Sequence, residues 1–220
     1  MIELGLVLGF GLFALRNLKV RDEEQVIVPR KISDRLGNLW DIAHQGMREK
    51  RFTRAEKALL TILKIDKRNA AAYNRLGILY AKQKEYKDAI DCFEIASSIE
   101  PTASSLHNLG LIYFETENYE RAAIAFEHAL KREDNLAARH IAYAKVQEKL
   151  DNNKLMLKHL QTAVEIEQSH ESLTLLKEGY EKMGMQADAD QIAEKLKRLK
   201  KGQSGAKTKK SVKRPRKVVI

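Results

Sequence analysis

The chain has 220 residues, with 40 lysines and arginines against 30 acids and a formal net charge of +10. Eleven glycines and three prolines are too few for an architecture of short strands, which needs a turn roughly every ten residues. The single cysteine, Cys92, excludes an internal disulfide framework and any multi-cysteine metal site. The composition is that of an all-α protein.

In chain order, residues 1–15 (MIELGLVLGFGLFAL) come first and carry one charge, Glu3. As a helix they reach about 22 Å, short of a hydrocarbon core of roughly 30 Å, and extension to Val20 closes the gap if Arg16 and Lys19 snorkel. Residues 1–20 are therefore expected to form a transmembrane anchor. A cleaved signal peptide would have a basic segment ahead of the apolar run and a small-residue cleavage site after it. A helix apolar on every side, docked on the domain by one face, would leave the rest in water. Arg16, Lys19, Arg21, Arg30 and Lys31 all follow the run, so the positive-inside rule predicts a single-pass membrane protein with its soluble part on the cytoplasmic side. Gly5 and Gly9 have the GxxxG spacing that lets two membrane helices approach closely. Residues 21–33, with mixed charge, Val26, Ile27, Val28 and Pro29, read as a linker.

From residue 34 to 200 apolar positions recur with helical period between short polar turns. Within this region Leu76-Gly77-x-x-Tyr80 returns as Leu109-Gly110-x-x-Tyr113, 33 residues later. Ala89, Phe93 and Ala96 return as Ala122, Phe126 and Ala129 at the same offset, and an aromatic marks each turn: Phe52, Tyr86 and Tyr119. Tyr73 and Pro101 complete a pattern that resembles the tetratricopeptide repeat, a helix–turn–helix unit of about 34 residues. The flanking units are weaker. Residues 36–69 keep Leu39, Ala43, Ala55 and Leu59, with Gly46 at the tyrosine position and Lys67 at the proline position. Residues 137–169 keep Tyr143, Ala144, Leu160 and Ala163, with Gln147 at the tyrosine position; residues 170–200 keep Leu173, Leu176, Tyr180, Ala189 and Leu196. With 70–102 and 103–136 these make about five units.

The resemblance implies a right-handed α-solenoid whose first (A) helices line a concave groove. Small residues (Gly77, Gly110, Ala144, Ala89, Ala122) are expected where the A helix of a unit crosses its B helix, and Tyr80, Phe93, Tyr113 and Phe126 in the layer between units. The family's groove positions fall here on Trp40, His44 and Met47; Asn74, Ile78 and Lys82; His107, Leu111 and Phe114; and Ile141, Lys145 and Glu148. Chaperone-tail binders of the family hold a terminal carboxylate in a lysine and asparagine clamp; Asn74, Ile78 and Ser104 occupy clamp positions here, which does not support that activity. The apolar stripe Trp40, Ile78, Leu111, Phe114 and Ile141 suits an amphipathic helix or extended segment of a protein partner, with Trp40 as the expected hot spot.

No catalytic constellation is present: neither GxxxxGK[ST], HExxH nor GxSxG occurs. Cys92, beside Phe93 on a B helix, reads as a small buried hydrophobe. His44, His107, His128, His140, His159 and His170 show no tight pair at metal-ligand spacing, and His140 falls on a core position. The sequence calls for no cofactor and no metal.

Twelve lysines and arginines lie between Lys195 and Lys217 with no acid after Glu194, so residues 1–194 carry −2 and the basic character belongs to the end of the chain. Residues 201–220 are expected to be a disordered basic tail. Such a tail suits anionic lipid at a membrane surface or the phosphates of nucleic acid without base specificity, since no aromatic is interleaved. The reading is a non-enzymatic, membrane-tethered scaffold. The alternatives are a soluble nucleic-acid- or ribosome-associated factor, with residues 1–15 as a docking helix, and an extracytoplasmic envelope-assembly protein.

Overall fold

A computed structural model describes the backbone of residues 30–210 and the side chains of residues 32–200. The expected anchor over 1–20 and residues 211–220 lie outside the described residues. Among the described residues no helix is long and apolar enough to cross a membrane.

The described chain is helical throughout: α1 (Arg30–Arg48), α2 (Phe52–Ile65), α3 (Ala70–Gln83), α4 (Tyr86–Ile99), α5 (Ala103–Glu115), α6 (Tyr119–Arg132), α7 (Ala137–Lys149), α8 (Asn153–Ile166), α9 (His170–Lys182) and α10 (Gln186–Lys210). Odd-numbered helices are the A helices and even-numbered ones the B helices of five units. Helices pack on their neighbours in the chain, and α3–α5 and α5–α7 also touch, the pattern of a stack rather than of a closed bundle. In α6 the buried residues are Ala122, Ala125, Phe126 and Ala129, an i, i+3, i+4, i+7 stripe facing the stack. Phe52, Tyr86 and Tyr119 are the first residues of their B helices.

The turn between A and B helices repeats more faithfully than the sequence does. Lys50, Lys84, Glu117, Asp151 and Gly184 each adopt a left-handed conformation, with φ between 56° and 71°. The amide of the residue that follows the left-handed one then bonds back across the helix end: Arg51 to Gly46, Glu85 to Tyr80, Asn118 to Tyr113, Asn152 to Gln147 and Met185 to Tyr180, at 2.8–2.9 Å. This is the Schellman closure of a helix C-terminus. Its five copies establish five units, including the three whose side chains have drifted.

Gly77 and Gly110 are required by close approach. A Cβ on Gly77 would lie 2.7 Å from the ring of Phe93, and one on Gly110 would lie 2.8 Å from that of Phe126. Both rings are about 1% exposed and therefore have nowhere to go. Phe93 and Phe126 thus fill the A–B crossing of their own unit, where only small residues were expected, while also joining the core shared with the next unit. A Cβ on Gly46 would meet the backbone and Cβ of Ala55 at 3.0 Å, a second close approach of an A helix to its B helix.

Two boundaries differ from expectation. α1 starts at Arg30, inside the stretch assigned to the linker. α10 continues to Lys210, ten residues into the stretch expected to lack order. Leu196 and Leu199 still pack on the last core cluster, and the first residue unable to continue a helix, Pro215, comes later.

Candidate functional site

The A helices line a run of three adjoining cavities. The largest, about 620 Å³, lies between α5, α7 and the start of α9, with Leu111, Phe114, Ile141 and Ala142 as its apolar wall. A second, of about 260 Å³, lies between α3 and α5 and shares Leu111 with the first. A third, between α7 and α9, shares Lys145 and adds Glu148, Leu175 and Glu178. Shared walls make these one groove along the stack.

Several expected residues meet there: Ile78 and Lys82 in the second cavity, His107, Leu111, Phe114, Ile141 and Lys145 in the first, and Glu148 in the third. Others do not. Trp40 is half-buried against the first core cluster with its ring 5.7 Å from that of His44, and neither lines the three cavities. Asn74 is occupied, its Oδ1 accepting a hydrogen bond at 3.2 Å from Asn108, which follows it by 34 residues. Ile141 is 8% exposed, packed with Ala137 and Ala163, so it forms floor rather than an exposed anchor. Phe114 is half-buried against Tyr119. Of the five residues in the expected stripe, Leu111 alone is exposed, at 39%.

Sequence reading missed the far wall. Glu167, Ser169, His170 and Glu171 come from the α8–α9 turn and the start of α9. That turn is fixed by a capping box in which Ser169 and Ser172 each accept the other's backbone amide. Its signal, Ser followed three residues later by Ser, is weaker than the usual Ser-x-x-Glu.

Electrostatics in the groove are set by burial. His107 stands in the wall 5.2 Å from the Phe126 ring, its Nδ1 buried without a hydrogen-bond partner. Burial, and then the positive charge of Arg139, lower its pKa to about 4, so the ring is neutral at physiological pH. Lys145 pairs with Glu171 at 3.7 Å and Lys182 with Glu148 at 3.1 Å, both at exposed positions worth little to stability.

Two histidines that are far apart in sequence meet in the fold. His140 and His159, on α7 and α8, stack with Nδ1 atoms 2.9 Å apart. His140 Nε2 faces the Asp134 carbonyl at 2.8 Å and so carries a proton, leaving its Nδ1 to accept from His159 Nδ1–H. Nineteen residues separate the two, a spacing read only once α7 and α8 are folded together. Among the described residues no group of three or more metal-ligating side chains is present. Cys92 is 9% exposed, and burial, followed by Asp88 and Asp91, raises its thiol to about 11, the behaviour of a packed side chain.

Comparison with known proteins gives the same architecture. A tetratricopeptide-repeat family model matches residues 68–132. A search of curated proteins returns no match. Among solved structures, the fold is similar to that of MamA (TM-score 0.68, 20% identity, covering 76% of this chain and 97% of that one). It is likewise similar to residues 41 to the end of MamA from Desulfovibrio magneticus RS-1 (TM-score 0.70, 15% identity, 77% and 97%). A third similar structure is YrrB, described as a tetratricopeptide-repeat protein with an unusual peptide-binding site (TM-score 0.63, 17% identity, 77% and 89%).

Proposed function

We propose, from the premise that the chain is a tetratricopeptide-repeat protein, that its groove holds a segment of a protein partner by binding alone and that residues 1–20 tether this surface to the cytoplasmic face of a membrane. The observation that carries the binding half is the continuous groove with Leu111 exposed at its centre, shared between the two larger cavities. A side chain that is apolar, central and accessible is what an incoming amphipathic segment covers first. The peptide-binding site in the description of YrrB, which shares this fold, supports the same use. The tether rests on the apolar run of residues 1–15 and the basic residues that follow it.

A photo-crosslinking amino acid at position 111 in the full chain tests the groove in cells. The expected result is a discrete adduct that vanishes when Phe114→Glu is added; adducts unchanged by that substitution would remove the groove reading. Fractionation of the same cells tests the tether independently. Retention in membranes through high salt and release only by detergent is expected, whereas release by salt alone favours the soluble alternative.

A further inference from the structure

The groove changes character along its length. Its second cavity, between α3 and α5, is lined by Ile78, Ala81, Leu111 and Ile112, with Lys82 and no acid. Past Leu111 the sign of the charge reverses. In the main cavity Glu115 comes from α5, and Glu167 and Glu171 come from the α8–α9 turn and α9, with Lys145 as the one lysine or arginine in the lining. In the third cavity Glu148 and Glu178 join the same lysine. All five carboxylates belong to exposed residues.

The fold pairs only part of this charge. Lys145 reaches Glu171 at 3.7 Å and Lys182 reaches Glu148 at 3.1 Å. Among the described residues no ion-pair partner reaches Glu115, Glu167 or Glu178. His107 brings no compensating charge to the wall, because burial keeps its ring neutral. Carboxylates in excess around a concave apolar surface focus a negative potential there. Such a field repels an acidic segment and draws in a basic one. The apolar floor adds a second requirement, carbon to cover Leu111 and Phe114. Lysine and arginine meet both demands, since their methylenes lie on apolar surface while the head group reaches the carboxylates.

We propose that the ligand of the groove is a basic, aliphatic segment of a protein partner, selected by the sign of its charge. Its apolar side chains cover the wall from Ile78 to Phe114, and its lysines or arginines lie between Glu115 and Glu167 and continue toward Glu178. The inference rests on the groove being a peptide-binding surface and names the chemistry of its ligand. Neighbouring A helices lie about 8–10 Å apart, so the run from α3 to α9 spans roughly 27 Å, the reach of about eight extended residues. Exposed ion pairs add little affinity each. The carboxylates therefore govern selectivity and encounter, and the apolar wall governs retention.

The test uses the full chain in neutral detergent micelles and three short fluorescein-labelled peptides, read by fluorescence anisotropy against empty micelles. One peptide has two leucines followed by four lysines. The second has the same leucines followed by four glutamates, and the third has serines in place of the leucines before four lysines. The leucine–lysine peptide is expected to bind about ten-fold more tightly than either of the others, and to weaken about ten-fold as salt rises from about 0.05 M to about 0.5 M. Glu115→Lys with Glu167→Lys should erase the preference for lysine over glutamate with an unchanged circular-dichroism spectrum, and Glu115→Gln with Glu167→Gln should shrink it. Glu120→Lys, an exposed acid on α6 that lines none of the three cavities, should leave it intact. Equal affinity for the lysine and glutamate peptides overturns the proposal. So does a preference that survives the two glutamate changes, or that Glu120→Lys abolishes equally. So too does a full chain that sediments as a dimer and takes up no peptide, which would assign the groove to a second copy. Failure of charge selection with position-111 adducts still lost on Phe114→Glu removes this inference and leaves the groove reading intact.

Discussion

Where α5 joins the unit before it, three devices hold the junction. Thr102 caps the helix by accepting the Ser105 amide at 3.1 Å, Tyr113 donates a hydrogen bond back to Glu94, and Asn108 reaches Asn74 at 3.2 Å. Burial and Glu94 push the Tyr113 phenol up to about 12, so it remains a donor at every physiological pH. Where α7 joins α6, those devices are missing. The N-cap position holds Leu136, which offers no side-chain acceptor. Gln147, at the tyrosine position, turns inward to accept from Asn152 at 2.8 Å. In their place Arg139 grips the loop, donating to the Glu133 carbonyl at 3.0 Å and pairing with the Glu133 carboxylate at 2.8 Å, while His140 holds the Asp134 carbonyl. One junction is closed by caps and an inter-unit hydroxyl, the other by buried side chains that reach back over the preceding loop. The helical pair survives the exchange because the A–B turn, not the junction, is the invariant part of the unit.

The largest expected effect breaks the well-matched unit. Gly110→Ala drives a Cβ into the buried Phe126 ring at 2.8 Å, and overpacking of this kind costs about 3 kcal/mol, against a gain of about 1 kcal/mol in helix propensity. The fourth unit already shows the remedy. Ala144 stands 34 residues after Gly110, and Leu160 stands 34 after Phe126, both in one cluster. Gly110→Ala with Phe126→Leu should therefore be more stable than Gly110→Ala alone in urea unfolding, although Phe126→Leu by itself destabilises. Additive losses would show that the two units are packed by different rules.

The junctions themselves come next. Arg139→Met removes two hydrogen bonds from a side chain that is 8% exposed and is expected to cost about 2 kcal/mol. Thr102→Ala at the other junction should cost about 1 kcal/mol, the ordinary value of an N-cap. Glu133→Gln should cost less than Arg139→Met, since the carbonyl contact survives. Reversal of that order would mean the ion pair, rather than the grip on the backbone, holds the fourth unit.

Acid should act mainly through the histidines. Burial first, then His140 and Lys158, lower the His159 pKa to about 4, and His107 is lowered to about 4 by burial and Arg139. The folded chain thus binds fewer protons than the unfolded chain, whose histidines titrate near pH 6.5. Stability contributed by the neutral rings is present above about pH 6.5 and is lost as pH falls from there toward 4. Thermal melting is expected a few degrees lower at pH 5 than at pH 7.5, with the difference reduced by His159→Gln and by His107→Gln. A drop that persists in His159→Gln and in His107→Gln would place the acid sensitivity elsewhere.

How much of this was legible from residues alone follows from what each feature requires. The stack was readable because packing repeats its demands: the same small residue at Gly77 and Gly110, and the same ring at Phe93 and Phe126. The groove was readable only as positions on A helices. Which of them stay accessible depends on neighbours across the stack: Trp40 is half-buried and lines none of the three cavities, and Ile141 is buried. The far wall, Glu167 to Glu171, belongs to a turn and carries no repeat signature. The His140–His159 contact needs two helices in register. The left-handed turn residues were invisible for a simpler reason: Lys50, Lys84, Glu117, Asp151 and Gly184 share a conformation, while no one residue type is common to all five.

That last feature yields the smallest prediction and the sharpest one about the unit. A non-glycine residue in the left-handed region costs about 1–2 kcal/mol, and Glu117 at φ 58° bears this strain while remaining exposed. Glu117→Gly relieves it but adds backbone freedom to the unfolded chain, worth about 0.5–1 kcal/mol in the opposite direction. The net expectation is a gain of about 0.5 kcal/mol. Gly184→Ala is the reverse experiment: φ is 71° and a Cβ there would meet nothing within 4 Å, so any loss is backbone strain alone, about 1 kcal/mol. Because each turn closes one A–B pair, both changes should act through whichever unit contains them. Hydrogen exchange should show protection rising in α5 and α6 for Glu117→Gly and falling in α9 and α10 for Gly184→Ala. Equal changes along the whole chain would instead mean that the five units unfold as one body and that the contrast between junctions has no energetic consequence.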